Sequence, residues 1–177
     1  LTCIIMGLTV ATVQAVTPLW LRDVQISPDG QSIAFCYKGD IYKVGIQGGN
    51  AVQLTTQDSY ECNPIWSPDS KSIAFASDRN GNFDIFVMPA NGGNAKRLTS
   101  NSVSELPSAF TPDGKQVVFS AAIQDPTKSA LYPTTSMTEL YQVPVAGGRT
   151  TQIIATPAEA VCYTTDGRSF LYQDRKG

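Results

Sequence analysis

The chain has 177 residues, room for about one domain, and 42% of them are hydrophobic while 16% are charged. Lysine and arginine number 13 against 15 acids, and this near-balance argues against a nucleic-acid-binding surface, which would carry clustered basic residues. Histidine is absent, which excludes Ser-His-Asp triads, Cys-His pairs and histidine-containing zinc sites.

The first sixteen residues differ in character from the rest of the chain. They carry no charge and end in Val13-Gln14-Ala15, a small-residue pattern that predicts signal peptidase cleavage after Ala15. The run is too short and too polar for a spanning helix, so the sequence predicts no stable membrane span. We therefore expect a signal peptide remnant over 1–15, a lead-in over 16–22, and a periplasmic or secreted protein. The alternative is a β-branched segment that orders as a strand.

A turn motif recurs along the remainder of the chain. It is Ser27-Pro28-Asp29-Gly30, and it returns at residues 67–70 with Ser70 in place of the glycine, at 111–114 and, degraded, at 164–167. Short apolar runs lie on both sides of each copy, which predicts a β-hairpin around a Pro-Asp-Gly turn. The repeated aspartate is interpreted as a turn residue rather than a catalytic carboxylate, because its side chain can bond nearby backbone.

Each repeat continues in register to a Gly-Gly turn. An acid opens a third strand and precedes the first glycine by 8 residues every time, and a further 6 residues lead to the Leu or Ile that ends a fourth strand. These acids are Asp40, Asp84 and Glu139. Four antiparallel strands in about 40 to 45 residues is the period of a β-propeller blade.

The sequence therefore predicts an all-β fold, a β-propeller of four-stranded antiparallel blades, present as an incomplete segment of about three and a half blades. Its repeats cover about 23–55, 61–99, 105–154 and 159–177. A closed propeller needs at least four blades, so we expect a piece of a larger propeller. Open strand edges and an uncovered blade face predict self-association of this piece.

Residues of the second repeat carry a family resemblance. The run Asn63-Pro64-Ile65-Trp66-Ser67-Pro68-Asp69-Ser70, followed by Asp84-Ile85-Phe86, resembles the PD-type WD-like repeat that builds the propellers of TolB and of tricorn-like serine peptidases. The resemblance covers residues 23–177 and is specific for the fold, because several motifs recur in register. It is much less specific for function, since such propellers occur in scaffolds, peptidases and some lyases.

The resemblance implies a non-catalytic propeller segment of an exported protein that binds peptide or protein, as the N-terminal propeller part of a tricorn-like peptidase. A TolB-like periplasmic scaffold that binds protein partners is the first alternative, and a propeller lyase is the second. If the parent is a serine peptidase, its catalytic residues lie outside this sequence.

The residues themselves offer no catalytic or cofactor motif. Ser-x-x-Lys, Gly-x-Ser-x-Gly and glycine-rich phosphate loops are absent. Asp78, Asn80, Asn82 and Asp84 alternate like calcium ligands, but the Gly and Glu of an EF-hand are missing, so we interpret them as a polar turn. The sequence predicts no metal site and no cofactor. Cys36 and Cys162 are expected to be small buried hydrophobes.

Three glutamates are the first candidate binding residues. Glu61, Glu105 and Glu159 precede the aromatic residue that ends each innermost strand by 5, 5 and 4 residues. We expect them at the channel mouth on the face with variable loops, where they would attract cations or a peptide amino terminus. Solvated loop acids without a ligand are the alternative.

The second candidate is an insertion in the third repeat, over residues 122–137. Insertions in repeat proteins often gather on the binding face, and Asp125, Lys128, Leu131 and Tyr132 are its candidate contacts. A tolerated surface insertion is the alternative.

Overall fold

The computed structural model describes residues 20–123, 138–154 and 156–174. Over this part of the chain it contains three antiparallel sheets of four strands and one sheet of two. The first sheet comprises β1 (Arg22–Ile26), β2 (Ser32–Tyr37), β3 (Asp40–Gly45) and β4 (Val52–Gln53). The second comprises β5 (Glu61–Trp66), β6 (Ser72–Ser77), β7 (Asp84–Pro89) and β8 (Lys96–Arg97). The third comprises β9 (Glu105–Phe110), β10 (Gln116–Ala121), β11 (Glu139–Pro144) and β12 (Thr151–Ile154), and the last pairs β13 (Ala158–Tyr163) with β14 (Phe170–Asp174).

Strands pair in chain order within each sheet, so every sheet is one up-and-down blade. The first strands of successive blades, β1, β5, β9 and β13, also contact one another, which makes them the innermost strands of the arrangement. This is an unclosed propeller segment. The predicted fold class is therefore confirmed, and β1 begins one residue earlier than the predicted repeat.

Apolar side chains between neighbouring blades form the core. Three buried clusters lie between blades one and two, two and three, and three and four. A stacked aromatic pair joins the second and third strands at the same place in each complete blade, with ring centroids 5.8 to 5.9 Å apart. The pairs are Phe35–Tyr42, Phe75–Phe86 and Phe119–Tyr141. Such offset contacts stabilise a core beyond the area that they bury.

The Pro-Asp-Gly turns are fixed by hydrogen bonds within the motif. In the first, the Ser27 hydroxyl donates to Asp29 Oδ1 at 2.5 Å, and the Gln31 N–H donates to the same oxygen at 3.0 Å. Gly30 closes the turn at a φ of +69°, where an L side chain is strained. These hydrogen bonds lower the pKa of Asp29, chiefly through the Ser27 hydroxyl. The aspartate is thus a structural part of its turn, as predicted from its recurrence.

Several sequence predictions lie outside the described residues. They are the signal peptide remnant at 1–15 and the insertion contacts Asp125, Lys128, Leu131 and Tyr132. Within the described part of the chain, no helix has the length and apolar character needed to cross a bilayer.

Candidate functional site

Every innermost strand carries one extra residue relative to its partner. The register of β1 against β2 shifts between Arg22 and Gln25, and that of β5 against β6 shifts between Cys62 and Ile65. In β9 the extra residue is Ser108, and in β13 the shift falls between Ala158 and Val161. β-Bulges re-aim side chains and are frequent next to functional sites. Four equivalent bulges therefore face the inner surface of the propeller segment.

Two of the bulges are joined across the first pair of blades. Asp23 and Asn63 both have a φ of +51°, which is uncommon for residues other than glycine. The Asn63 N–H donates to Asp23 Oδ2 at 3.1 Å. The Asp23 carboxylate therefore accepts a hydrogen bond from a backbone N–H that the bulge leaves unpaired with the neighbouring strand. This contact fixes the carboxylate of Asp23 at the inner surface.

A polar cavity of about 350 Å³ lies at the bulges. The residues that line it include the acids Asp23 and Glu159 and the amide residues Gln25, Asn63 and Gln173. Among the described residues, no lysine or arginine lines this cavity. Carboxylate and amide groups in one wall make this cavity rich in hydrogen-bond acceptors. We call this space the polar end of the inner surface.

A second cavity of about 530 Å³ follows toward the Pro-Asp-Gly turns. Each innermost strand contributes its last residue to the lining, and these four residues are Ile26, Trp66, Phe110 and Tyr163. The indole N–H of Trp66 donates to the carbonyl of Gln25 at 3.1 Å, so the ring is held in place across two blades. None of the described lining residues is charged. We call this space the apolar end.

Glu61 lies elsewhere than predicted, inside the second blade rather than at a channel mouth. It is fully buried, and its Oε1 accepts hydrogen bonds from Ser59, Ser77 and Arg79 at 2.5, 3.0 and 2.8 Å. The guanidinium of Arg79 lies 4.4 Å from the centroid of the Phe86 ring, a cation–π contact. The carboxylate is neutralised locally, so it does not face the cavity as an open charge.

Glu105 occupies the equivalent place in the third blade and is also fully buried. Asn101 donates to its Oε1, whereas Oε2 has no hydrogen-bond partner. Burial raises the pKa of Glu105, and the neighbouring Asp84 charge adds to this effect. Arg97 pairs with Asp84 instead, with its Nη2 2.7 Å from Asp84 Oδ2. This glutamate is a blade-interface residue, and the sequence did not predict its burial.

Glu159 is the one predicted glutamate that lines a described cavity. Glu61 and Glu105 are the first residues of their strands, whereas the first residue of β13 is Ala158. Glu159 is therefore one residue later than the other two glutamates and is not equivalent to them, contrary to the prediction. Because side chains alternate along a strand, that offset turns Glu159 to the opposite face. It lines the polar end together with Asp23, and the three predicted carboxylates do not converge.

Sequence reasoning missed Asp23 and Asn63. The sequence does indicate the bulges, because Pro64 and Pro107 lie inside innermost strands and proline inside a strand is typical of a bulge. Among the described residues, no group of three acid, cysteine or histidine side chains is arranged to hold a metal ion. The acidic and amide residues of the polar end carry oxygens that can accept hydrogen bonds from an amine.

The cysteines divide by position. Cys36 and Cys62 are buried between the first two blades, and burial raises the pKa of Cys62 to about 12. Cys162 is exposed, contrary to the expectation that it packs in the core. It lies on β13, among the residues that line the apolar end.

The fold and its inner surface define the class of the protein as a β-propeller segment with four-stranded blades. Residues 18–177 match the model of the tricorn protease N-terminal β-propeller domain, and the chain therefore belongs to this family. A comparison with curated proteins finds no match.

Solved structures share the fold. A protein assigned as TolB from Agrobacterium tumefaciens matches 89% of this chain and 55% of its own, with 21% identity and a TM-score of 0.74. TolB from Acinetobacter baumannii matches 88% and 38%, with 22% identity and a TM-score of 0.66. The tricorn protease matches 80% and 18%, with 14% identity and a TM-score of 0.60. The chain thus spans about half the length of the first structure and less of the other two.

Proposed function

We propose that this chain is the N-terminal propeller part of an exported tricorn-like peptidase, and that its polar end binds the amino-terminal end of a peptide or protein segment. The proposed binding residues differ from those of the sequence-based hypothesis. Glu159 is kept, Glu61 and Glu105 are left out, and Asp23 is added. The family membership supports the propeller part, and the signal-like sequence pattern at 1–15 supports export.

The single observation that carries the proposal is the set of hydrogen-bond acceptors that line the polar end. Asp23 and Glu159 contribute carboxylates from the two outer members of the row of innermost strands, β1 and β13. Gln25, Asn63 and Gln173 add amide groups that can accept or donate hydrogen bonds. An ammonium group needs several acceptors around it, and the residues of this wall offer them.

The test is a comparison of two peptides on the complete protein. A fluorescent pentapeptide with a free amino terminus is titrated against the same peptide with an acetylated terminus. We expect the free amine to bind about tenfold more tightly, the effect of roughly 1.4 kcal/mol. Because the attraction is electrostatic, this preference shrinks as the salt concentration rises.

Variants assign the preference to the two carboxylates. Asp23→Asn and Glu159→Gln should each reduce it, and Asp23→Asn keeps an oxygen that can accept from the Asn63 N–H. Asp58→Asn removes the same charge from an exposed loop outside the cavity and serves as the matched control. Equal affinity for both peptides, or an equal loss in the control, would contradict the proposal. A scaffold that binds folded partners would show no dependence on the amine.

A further inference from the structure

One backbone hydrogen bond joins each described blade to the next at the same place. The first residue of β5, β9 or β13 donates its N–H to the residue that precedes the third strand of the blade before it. These bonds run from Glu61 to Gly39, from Glu105 to Phe83 and from Ala158 to Thr138, with N···O distances of 2.7, 2.8 and 2.8 Å. The acid that opens each third strand therefore lies beside the first residue of the next innermost strand.

At the contact between blades two and three, this arrangement brings two fully buried acids together, Asp84 and Glu105. Asn101 donates to Glu105 Oε1, and Arg97 Nη2 lies 2.7 Å from Asp84 Oδ2. The other two oxygens, Glu105 Oε2 and Asp84 Oδ1, have no hydrogen-bond partner among the described residues. Carboxylate oxygens only accept, whereas a protonated carboxyl also donates. One proton on this pair would therefore satisfy both oxygens.

The charges around Glu105 do not balance the two acids. The charged groups that act on its carboxyl are Asp84 of β7 and Arg97 of β8. Of the other strands packed against β9, β6 and β10 contain no charged residue, Glu61 of β5 has its own cation, and Glu159 of β13 lines the polar end. A single guanidinium thus serves two buried acids. Burial, with the Asp84 charge adding to it, raises the pKa of Glu105.

We propose that Glu105 and Asp84 share one proton, which makes the contact between blades two and three sensitive to pH. When the proton leaves, two charged carboxylates face each other in a buried contact, and the contact weakens. The folded-state pKa of Glu105 is raised, so the stabilisation is complete below the unfolded-state pKa and is lost as the pH rises through the folded-state pKa. This inference concerns the blade contact and does not rest on the proposed function of the polar end.

The contact between blades one and two provides an internal comparison. Glu61 occupies the place of Glu105, and Arg79 Nη2 lies 2.8 Å from its Oε1. The neighbouring acid, Asp40, is half-buried and accepts a hydrogen bond from Gln53 at 3.0 Å. Burial raises the pKa of Asp40 as well, but its side chain still reaches solvent. We therefore expect this contact to depend much less on pH.

Infrared spectroscopy of the complete protein tests for the shared proton, because a protonated carboxyl has a carbonyl band that a carboxylate lacks. The measurement is made at about pH 6, where an ordinary glutamate with a pKa of about 4.3 is ionised. We expect a protonated-carboxyl band in the parent protein that is lost in Glu105→Gln. Asp84→Asn should also remove it, because Arg97 is then free to pair with Glu105. Glu61→Gln is the matched control and should keep the band.

Three infrared results would overturn the proposal. They are a parent spectrum without the band, an equal loss in the Glu61→Gln control, and a band that Asp84→Asn leaves unchanged. The last result would show that any proton on Glu105 is not shared with Asp84.

Hydrogen exchange measured by mass spectrometry tests whether the contact opens. Peptides that cover β9 and β5 contain the two equivalent bonds to the preceding blade. After correction for the intrinsic effect of pH on exchange, we expect opening at β9 to increase by up to about tenfold per pH unit, the limit for the loss of one proton. Opening at β5 should change much less, and Glu105→Gln should remove the dependence at β9.

An equal response of the two peptides, or no response at β9, would overturn the proposal. This comparison is made within the parent protein, so it decides the question even if a variant fails to fold.

Discussion

Arg79 lies against Glu61 inside the second blade, with its Nη2 2.8 Å from Glu61 Oε1. The Arg79 Nε also donates to the Ser77 hydroxyl at 2.8 Å, and that hydroxyl donates to the same carboxylate oxygen. The side chain of Arg79 is 19% exposed, whereas that of Glu61 is fully buried. A buried charge held by three donors is costly to leave unpaired, so this pair is expected to matter for stability rather than for ligand binding.

Glu61→Gln should therefore destabilise the protein by about 2 kcal/mol, the range of a hydrogen bond to a charged group. Chemical denaturation of Glu61→Gln, Arg79→Gln and the double variant measures the coupling. We expect the double variant to lose less than the sum of the single losses, because each single variant leaves one charge without its partner. Additive losses would show that the two side chains act independently.

Glu105→Gln should have the opposite effect at neutral pH. The folded-state pKa of Glu105 is raised above its unfolded value by burial, so its contribution is favourable when it is protonated and is lost as the pH rises through the folded-state pKa. A neutral amide avoids this loss, and its N–H can donate toward Asp84, whose Oδ1 has no hydrogen-bond partner. Thermal unfolding should show a higher Tm for the variant at pH 7 and equal Tm values near pH 4. A lower Tm at pH 7 would contradict the account.

The turn aspartates should stabilise the protein only above their pKa. Ser67 donates to Asp69 Oδ1 at 2.7 Å, and this contact is the main reason why the pKa of Asp69 is lowered. A lowered folded-state pKa gives stability that is present above the ordinary pKa of an aspartate, about 3.9, and is lost as the pH falls through the folded-state pKa. The free energy of unfolding of Asp69→Asn should therefore fall less than that of the parent protein between neutral pH and about pH 3. An unchanged acid dependence would show that other carboxylates dominate it.

Self-association of the isolated chain remains a prediction. Apolar side chains are exposed on its two outermost blade faces, with Val24 54%, Ile26 59% and Leu171 73% accessible. Light scattering after size exclusion should show oligomers, since uncovered apolar faces and strand edges favour association. Leu171→Lys should shift the distribution toward monomer, and the Val52→Lys control should not. A cooperative monomer of 19.0 kDa for the parent sequence would contradict this expectation.

The fold was predictable because its determinants are local. Each Pro-Asp-Gly turn is stabilised within six residues, as the contacts of Ser27 with Asp29 and with Ser32 show. Turns of this kind repeat at fixed spacing, so the blade period is visible in the sequence. The aromatic pairs then follow from strand register, which places Phe75 directly opposite Phe86.

The site was only partly predictable because its determinants are not local. An offset of one residue separates Glu159 from Ala158, and such an offset reverses the face of a strand. Glu61 was expected at the channel mouth from its spacing before Trp66, and that spacing does not show that its partner Arg79 lies 18 residues away in the chain. Asp23 is placed at the inner surface by its hydrogen bond with Asn63, which lies 40 residues later in the chain. The spacing of motifs in the sequence does not reveal such a contact.

The most direct measurement of the central claim is a crystal structure of the complete protein with a free-amine pentapeptide that carries bromophenylalanine at position 2. Anomalous scattering locates the bromine independently of the way the peptide is traced. We predict a bromine peak at the polar end and the peptide amine within hydrogen-bonding distance of Asp23 or Glu159. A bromine peak on the outer surface of the blades, or a peptide amine that points away from both residues, would contradict the account.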